Sequence, residues 1–408
     1  MIQNKRGFTL VEMLVTMAVF IVVIAISGDA FNSILKHTSK LFRSEESNIE
    51  GIVGLEVLRH DLQQAGFGLF TEPWTSEYQE AAALPASAYN DSTDNVPRPF
   101  VAGNNIAAVT DTSGDSGAKF DVLADTDYLA IKATTVGRNR VSQKWTYLKY
   151  SSNDVYPNSW LSAAENFATN DRVILLRRQI GSTGQSTTIV SDTGGDFYYA
   201  YSNTAFSHLT SSGASVYSVY GVDSSPTTPR MPFNRSDYFV ARPQDTTSVP
   251  SVCAPNSGIL YKTTVNLVDG KLNYIPVLDC VADMQIVLGW DMDGNGAVET
   301  YSNADGTLFN TPLALASNAV TNTLSNSNNN TAATTPNIRN SLKIVKVYIL
   351  AQQGRLDPGY TSPSPILTGD VGESSLTRSV NISANGWLNY RWKLYRIIIR
   401  PKNLPANQ

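Results

Sequence analysis

The feature that most constrains this chain lies at its start. After a short basic leader, MIQNKRG, the residues from Phe8 to Ile26 are apolar apart from Thr9, Glu12 and Thr16. Nineteen residues at 1.5 Å each span roughly 29 Å, about one hydrocarbon core, so the run predicts a membrane-crossing helix over 8–26. Lys5 and Arg6 directly before it predict a single pass with a cytoplasmic N-terminus and a periplasmic remainder. An ordinary secretory signal carries its cleavage site behind the apolar region. Ala25-Ile26-Ser27 and Ser27-Gly28-Asp29 are weak sites of that kind, and the helical pattern runs straight through them. The apolar segment is therefore expected to be retained.

Glu12 is the residue to explain. A carboxylate inside an apolar helix costs about 2.5–3.5 kcal/mol at the membrane centre on insertion scales, so it needs a partner or a function. Cleavage between Gly7 and Phe8 would create a free amine nearby. Within one helix that amine is poorly placed to meet Glu12, but an amine from a neighbouring chain could reach it when helices stack. The stretch Lys5-Arg6-Gly7-Phe8-Thr9-Leu10-Val11-Glu12-Met13-Leu14 resembles the class III signal of type IV pilins and type II secretion pseudopilins. The resemblance implies that a prepilin peptidase cuts after Gly7, that Phe8 is methylated, and that Glu12 is the glutamate used in assembly. It implies other pilins as partners through the helix, and the inner membrane as the first location. A plain signal anchor that happens to contain a glutamate is the bland alternative.

The helical pattern continues beyond the membrane segment. No proline occurs before Pro73, and Ile34, Leu41, Ile52, Leu55, Leu58 and Leu62 fall at spacings near three, four or seven. Lys36, Lys40, Arg43, Glu45, Glu46 and Asp61 are expected on the other faces. A helix from Phe8 to Ala65 would be about 87 Å long. Gly28, Gly51 and Gly54 are expected to bend or locally melt it, and Gly66 or Gly68 to supply a left-handed cap. The stretch from Asp61 to Leu69, DLQQAGFGL, resembles PilW-type minor pilins and J-type minor pseudopilins, as does Val281-Ala282-Asp283-Met284-Gln285. Many major pilins have a proline soon after the membrane segment. Its absence here argues against an abundant shaft subunit.

After Pro73 the pattern changes to short strands and polar loops. The 408 residues carry 16% charge, below the usual ~25%, and Ser, Thr and Asn fill the gap. A net charge of −4 argues against a nucleic-acid partner. Residues 76–119 read as irregular. Strands are expected at Tyr128–Ala133, Trp145–Tyr150, Arg172–Arg177, Asp237–Ala241, Gly258–Val265, Val281–Trp290, Ser341–Leu350 and Tyr390–Arg400. In the Ser341–Leu350 run the alternation is imperfect, which predicts burial on both faces. The low-complexity residues 316–340 read as a surface loop. The fold class is α+β: a long N-terminal hydrophobic helix packed on an antiparallel β-sheet domain with large loop insertions. The division drawn is a leader at 1–7, the helix at 8–66, and β-rich lobes at 67–250 and 251–408, the last holding a candidate Ca²⁺ loop.

That loop is the main chemical signal outside the helix. Asp291, Asp293 and Asn295 offer side-chain oxygens at alternate positions, Gly296 stands sixth, Ala297 offers its carbonyl, and Glu299 is ninth. Ca²⁺ takes six to eight oxygens from such a pattern. The twelfth position is Ser302 rather than Glu, so a bidentate ligand must come from elsewhere, with Glu299 the nearest choice. A Gly/Asn hairpin turn accounts for the same residues. Cys253 and Cys280 have only one way to pair, and an oxidising compartment favours the bond. Three His and two Cys leave little for a catalytic metal site. Gly114-Asp115-Ser116-Gly117 is similar to a chymotrypsin-like nucleophile segment, but Ala118 and Lys119 break that pattern, and the upstream histidines, His37 and His60, sit on the long helix. The expectation is a non-enzymatic minor pilin in a priming or tip complex, with a large tip adhesin as a further partner. A J-type pseudopilin and a membrane-anchored Ca²⁺-dependent periplasmic adhesin are the alternatives.

Overall fold

The computed structural model describes residues 9–74, 77–91, 96–112, 114, 119–151, 154–181, 184–204, 206, 209, 215–306, 308–309 and 338–404. The leader, Gly7 and Phe8, Asp115–Gly117 and most of the 316–340 stretch lie outside these. By compactness the chain divides into Met1–Glu50 and Gly51–Gln408.

The predicted helix is present as α1, Leu10–Gln64. The helix runs unbroken through Gly28, Gly51 and Gly54, so none of them melts it. Gly51 and Gly54 serve packing instead. A Cβ on Gly54 would lie 1.9 Å from the Val277 carbonyl oxygen, and one on Gly51 would lie 3.1 Å from the Leu278 side chain. The helix backbone thus approaches a strand at a distance only glycine allows. Beyond Gln64, Gly66 and Gly68 both take positive φ, as a left-handed helix end requires.

The strands up to residue 200 are β1 (Phe100–Gly103), β2 (Val109–Asp111), β3 (Phe120–Val122), β4 (Tyr128–Ala133), β5 (Trp145–Ser151), β6 (Asp154–Pro157), β7 (Arg172–Gly181), β8 (Gly184–Val190) and β9 (Tyr198–Ala200). Next come β10 (Ser215–Asp223), β11 (Asn234–Pro243), β12 (Gly258–Val265), β13 (Leu272–Trp290), β14 (Thr300–Asn303) and β15 (Leu308–Phe309). The last are β16 (Leu342–Gln353), β17 (Ile366–Leu367), β18 (Ser379–Val380) and β19 (Arg391–Ile399). All eight expected strands exist, several of them longer than expected. Two short strands, β1 and β2, interrupt the region read as irregular. Residues 338–340, placed in the low-complexity loop, belong instead to a short helix, Ile338–Ser341.

The larger sheet has eleven strands, with the path β1-β4-β11-β12-β13-β14-β15 and with β16 and β19 joined through β13. Every pairing in it is antiparallel. The lobe boundary drawn near residue 250 falls between β11 and β12, which are hydrogen-bonded neighbours. The first half of β13 pairs with β12 and the second half with β16. Between them the register shifts around Val281, and Cys280 takes φ +55°. The Cys253–Cys280 disulfide sits at this kink, with Cα atoms 4.9 Å apart, inside the normal range.

Strand alternation separates two cores. Leu129, Ile131, Tyr238, Val240, Leu260, Ile286 and Leu288 face Leu55, Leu58, Leu62 and Ala65, the end of α1 and the residue just beyond it. Tyr128, Ala130, Phe239, Ala241 and Tyr261 face the other way. There they meet Ile174, Leu176, Ile189 and Tyr220 of a second, six-stranded sheet ordered β6-β5-β10-β7-β8, with β9 on β7. The unit from Gly51 onward is therefore helix, sheet, sheet. In β16, Val345 and Val347 join the helix-side core and Tyr348 is buried on the opposite face, as the imperfect alternation predicted.

Two charged features differ from the sequence reading. Asp61, expected on a solvated face, is 2% exposed. Lys262 Nζ lies 2.6 Å from it and the Tyr238 hydroxyl donates to it at 2.7 Å. The acid thus fastens α1 to β11 and β12. Ile52, expected in the buried stripe, is instead half exposed, together with Val53 and Val57. On the far face of the sheet, Lys132 of β4 lies 2.8 Å from Glu80 and 2.6 Å from Asp91. Arg235 lies 2.9 Å from Glu80 and holds Asp237 through two hydrogen bonds of 2.8 and 2.7 Å. Arg98 pairs with Asp91. Three buried cations face three buried anions, so the charges are mutually compensated, as burial demands.

Candidate functional site

Two places hold the residues that the sequence singled out. The first is the N-terminal segment. Leu10–Gly28 is 19 residues long with mean hydropathy 2.6, and none of it is buried within the protein. It is long and apolar enough to cross a membrane. Glu12 lies in its first turn. The Thr9 amide and the Thr9 hydroxyl both donate to Glu12 Oε2 at 2.9 Å, and the Glu12 amide donates back to Thr9 Oγ1 at 3.3 Å. This is a capping box, Thr-x-x-Glu, which satisfies amides that a helix start leaves unpaired. Sequence reasoning treated Glu12 as lacking a local partner. The Thr9-to-Glu12 spacing was the signal that could have supplied one. The cap satisfies hydrogen bonds, and among the described residues no cation pairs with the carboxylate.

The second place is the turn between β13 and β14. The Glu299 amide donates to the Trp290 carbonyl at 3.0 Å and closes the loop. Gly294 and Gly296 adopt φ of +79° and +94° and aim their amides at Asp291 from 2.7 and 2.9 Å. Lys343 Nζ, from β16, lies 3.2 Å from the same carboxylate. Desolvation works against the Asp291 anion, but the two amides and Lys343 outweigh it and lower its pKa. Ligand oxygens of Asp291, Asp293 and Glu299 lie within 4.8 Å of one another. Glu299 Oε2 accepts the Met292 amide at 2.9 Å, while its buried Oε1 has no hydrogen bond among the described residues.

Three of the five expected ligand residues are thus together. Asn295 is used inside the loop: its Oδ1 accepts the Ala297 amide at 2.7 Å and its Nδ2 donates to Asp293 at 3.0 Å. Ser302, at the twelfth position, turns into the core, where its hydroxyl accepts the Trp290 indole N–H at 2.8 Å. Lys343 was not foreseen, because it lies far along the chain and reaches the loop only through β13–β16 pairing.

A single N-terminal apolar helix capped at a glutamate, followed by a large antiparallel β-sheet domain, defines an α+β protein with a pilin-like N-terminal helix. The model of the prokaryotic N-terminal methylation motif matches residues 2–28. That match supports a type IV pilin-like or pseudopilin protein, processed by prepilin peptidase, anchored in a membrane and assembled with other pilins. No match was found among curated proteins, and none among solved structures.

Proposed function

We propose that this chain is a minor pilin of the PilW type. Prepilin peptidase cuts it after Gly7 and methylates Phe8. The inner membrane holds it with the N-terminus on the cytoplasmic side, and it then enters a priming or tip complex of a type IV pilus. Its role is structural rather than enzymatic. The observation that carries this reading is Glu12, the one charged side chain between Phe8 and Gly28, whose charge meets no cation within the described chain. A neighbouring subunit's Phe8 amine supplies that cation when the helices stack in an apolar surround, where a charge pair is strongly favoured. Exposed Ile52, Val53 and Val57 give the same helix further apolar surface for neighbours. The β-rich body from Gly51 to Gln408 suits a sparse or terminal position better than a crowded shaft, and a large tip adhesin is a fitting neighbour. A J-type pseudopilin of a type II secretion system shares the N-terminal features and is the second reading.

The Asp291 loop is proposed as a Ca²⁺ site that stiffens this body. Asp291, Asp293 and Glu299 bring three negative charges and Lys343 one positive, which leaves two for a divalent ion. The unbonded Glu299 Oε1 is a free ligand atom for it.

Glu12→Gln tests the assembly role. Glutamine at this position keeps a capping box but removes the charge. The variant should insert, remain helical and be cleaved, yet fail to restore pili in a strain lacking the wild-type gene. Normal pilus counts would sink the charge-pairing idea. If secretion rather than piliation is lost when the gene is deleted, the pseudopilin reading takes its place.

A further inference from the structure

β5 presents Trp145, Tyr147 and Lys149 on one face, alternating with buried Thr146 and Leu148. Trp145 stands opposite Tyr220 and Tyr147 opposite Ser218 of β10. This is the face that, at β7, packs Ile174 and Leu176 against the larger sheet. At β5 the cover ends, and Trp145 is left 43% exposed and Tyr147 37% exposed. Beside them opens a cleft of about 690 Å³, walled by Trp145 and Trp160 and edged by Arg140, Gln143, Lys144 and Glu165.

The walls are fixed in place. The two indoles stand 5.3 Å apart at 65°, and Tyr147 meets Trp160 at 6.0 Å and 72°. The Trp160 indole N–H donates to the Trp145 carbonyl at 2.8 Å. Asn166 clamps the loop that carries Trp160: it accepts that residue's amide at 2.7 Å and donates to its carbonyl at 2.9 Å. Lys144 Nζ donates to the Asn166 carbonyl at 2.6 Å, and the Thr146 hydroxyl to the Asn158 carbonyl at 2.7 Å. The site is ordered before any ligand arrives, which lowers the entropy cost of binding.

The lining selects a chemistry. Exposed indole faces accept a flat array of C–H groups, and polar side chains at the edge accept and donate hydrogen bonds. Two cations, Arg140 and Lys144, face one anion, Glu165, although the whole chain carries −4. The volume falls in the range of small-ligand sites. A protein partner needs about 800 Å² of surface on each side, far more than the residues lining this cleft present. A pyranose ring bearing a carboxylate meets all of these conditions. We infer that this cleft binds a short acidic saccharide, with a sugar ring stacked on Trp145 and its carboxylate paired with Arg140. The inference stands on this cleft alone and does not depend on the pilin reading.

The test uses the full chain in a zwitterionic detergent without a sugar headgroup, titrated with trigalacturonate and with maltotriose. Tryptophan fluorescence and calorimetry are the readouts. Trigalacturonate should bind and perturb the fluorescence. Trp145→Ala should weaken it by at least about tenfold, whereas Trp145→Phe should retain most of the binding with an unchanged melting temperature. Arg140→Gln should reduce trigalacturonate to the level of maltotriose. Absence of binding by either sugar, or binding untouched by Trp145→Ala, overturns the inference. Equal affinity for the two sugars overturns its acidic part. Pilus counts should be unchanged in Trp145→Ala, so failure here and failure of the assembly reading appear in different assays.

Discussion

Lys132 is fully buried between two carboxylates, with Arg98 and Arg235 completing the group. Replacing it with Met removes the cation but leaves Glu80 and Asp91 out of water. Breaking a buried charge group in this way costs about 3–5 kcal/mol, and a urea titration of the full chain should show a loss of that order. The same group makes an acid limb. Desolvation alone would raise the Asp91 pKa, but Lys132 and Arg98 outweigh it and hold the carboxyl below its ordinary value. A group whose folded pKa is lowered adds stability above its unfolded pKa, about 4, and gives it up as the pH falls through the folded value. Melting temperatures should therefore decline below about pH 4 on account of this group, and the decline should be shallower in Lys132→Met. None of this was legible in the sequence. Glu80, Asp91, Lys132 and Arg235 are spread over 155 positions, and no local pattern marks a charge that will be buried.

At the scale of elements, what the sequence disclosed and what it hid divide by range. Tyr128–Ala133 and Gly258–Val265 were visible with their observed limits because β-branched and aromatic runs between turn residues are local signals. β10, by contrast, has Ser or Gly at every third residue, Ser215, Ser218 and Gly221, and took its place only through pairing with β5 and β7. The packing role of Gly51 and Gly54 in α1 was hidden for the same reason. Propensity speaks of bending, whereas the contact with Val277 is tertiary. Gly54→Ala tests this. Helix propensity predicts a gain of about 1 kcal/mol, but the added Cβ meets backbone at 1.9 Å, so a net loss of about 1–3 kcal/mol is expected by thermal melting. Gly28, with nothing within 4 Å, should tolerate Ala without loss. The turn gathers the Asp291, Asp293 and Glu299 carboxylates, and its Lys343 neighbour was missed. If the turn holds Ca²⁺, melts of the full chain should shift upward with the ion and return with chelator, by about 2.7 kcal/mol at a hundredfold excess over Kd. Asp291→Asn with Glu299→Gln should abolish the shift. Equal melts in Ca²⁺ and chelator would leave only the hairpin turn.

At the scale of the whole molecule, processing changes the charge distribution as well as the length. Removal of residues 1–7 takes away Lys5 and Arg6 and no acid, so the chain passes from −4 to −6 by side-chain count. In the proposed reading, the two basic residues hold the N-terminus on the cytoplasmic face before the cut. A cut after Gly7 would make the new Phe8 amine the cation nearest the apolar segment. The next basic side chain is Lys36, more than a membrane thickness along the helix at about 1.5 Å per residue. On the proposed processing, the Phe8 amine is the counter-charge available to Glu12 at its own depth, and it exists only in the cut chain. Intact-mass and N-terminal peptide spectra of protein recovered from sheared pili should begin at a methylated Phe8. In a strain without prepilin peptidase the chain should begin at Met1 and stay in the membrane fraction. Filament-borne protein that still begins at Met1 would mean that assembly does not use the Phe8 amine, and Glu12 would then need a different partner.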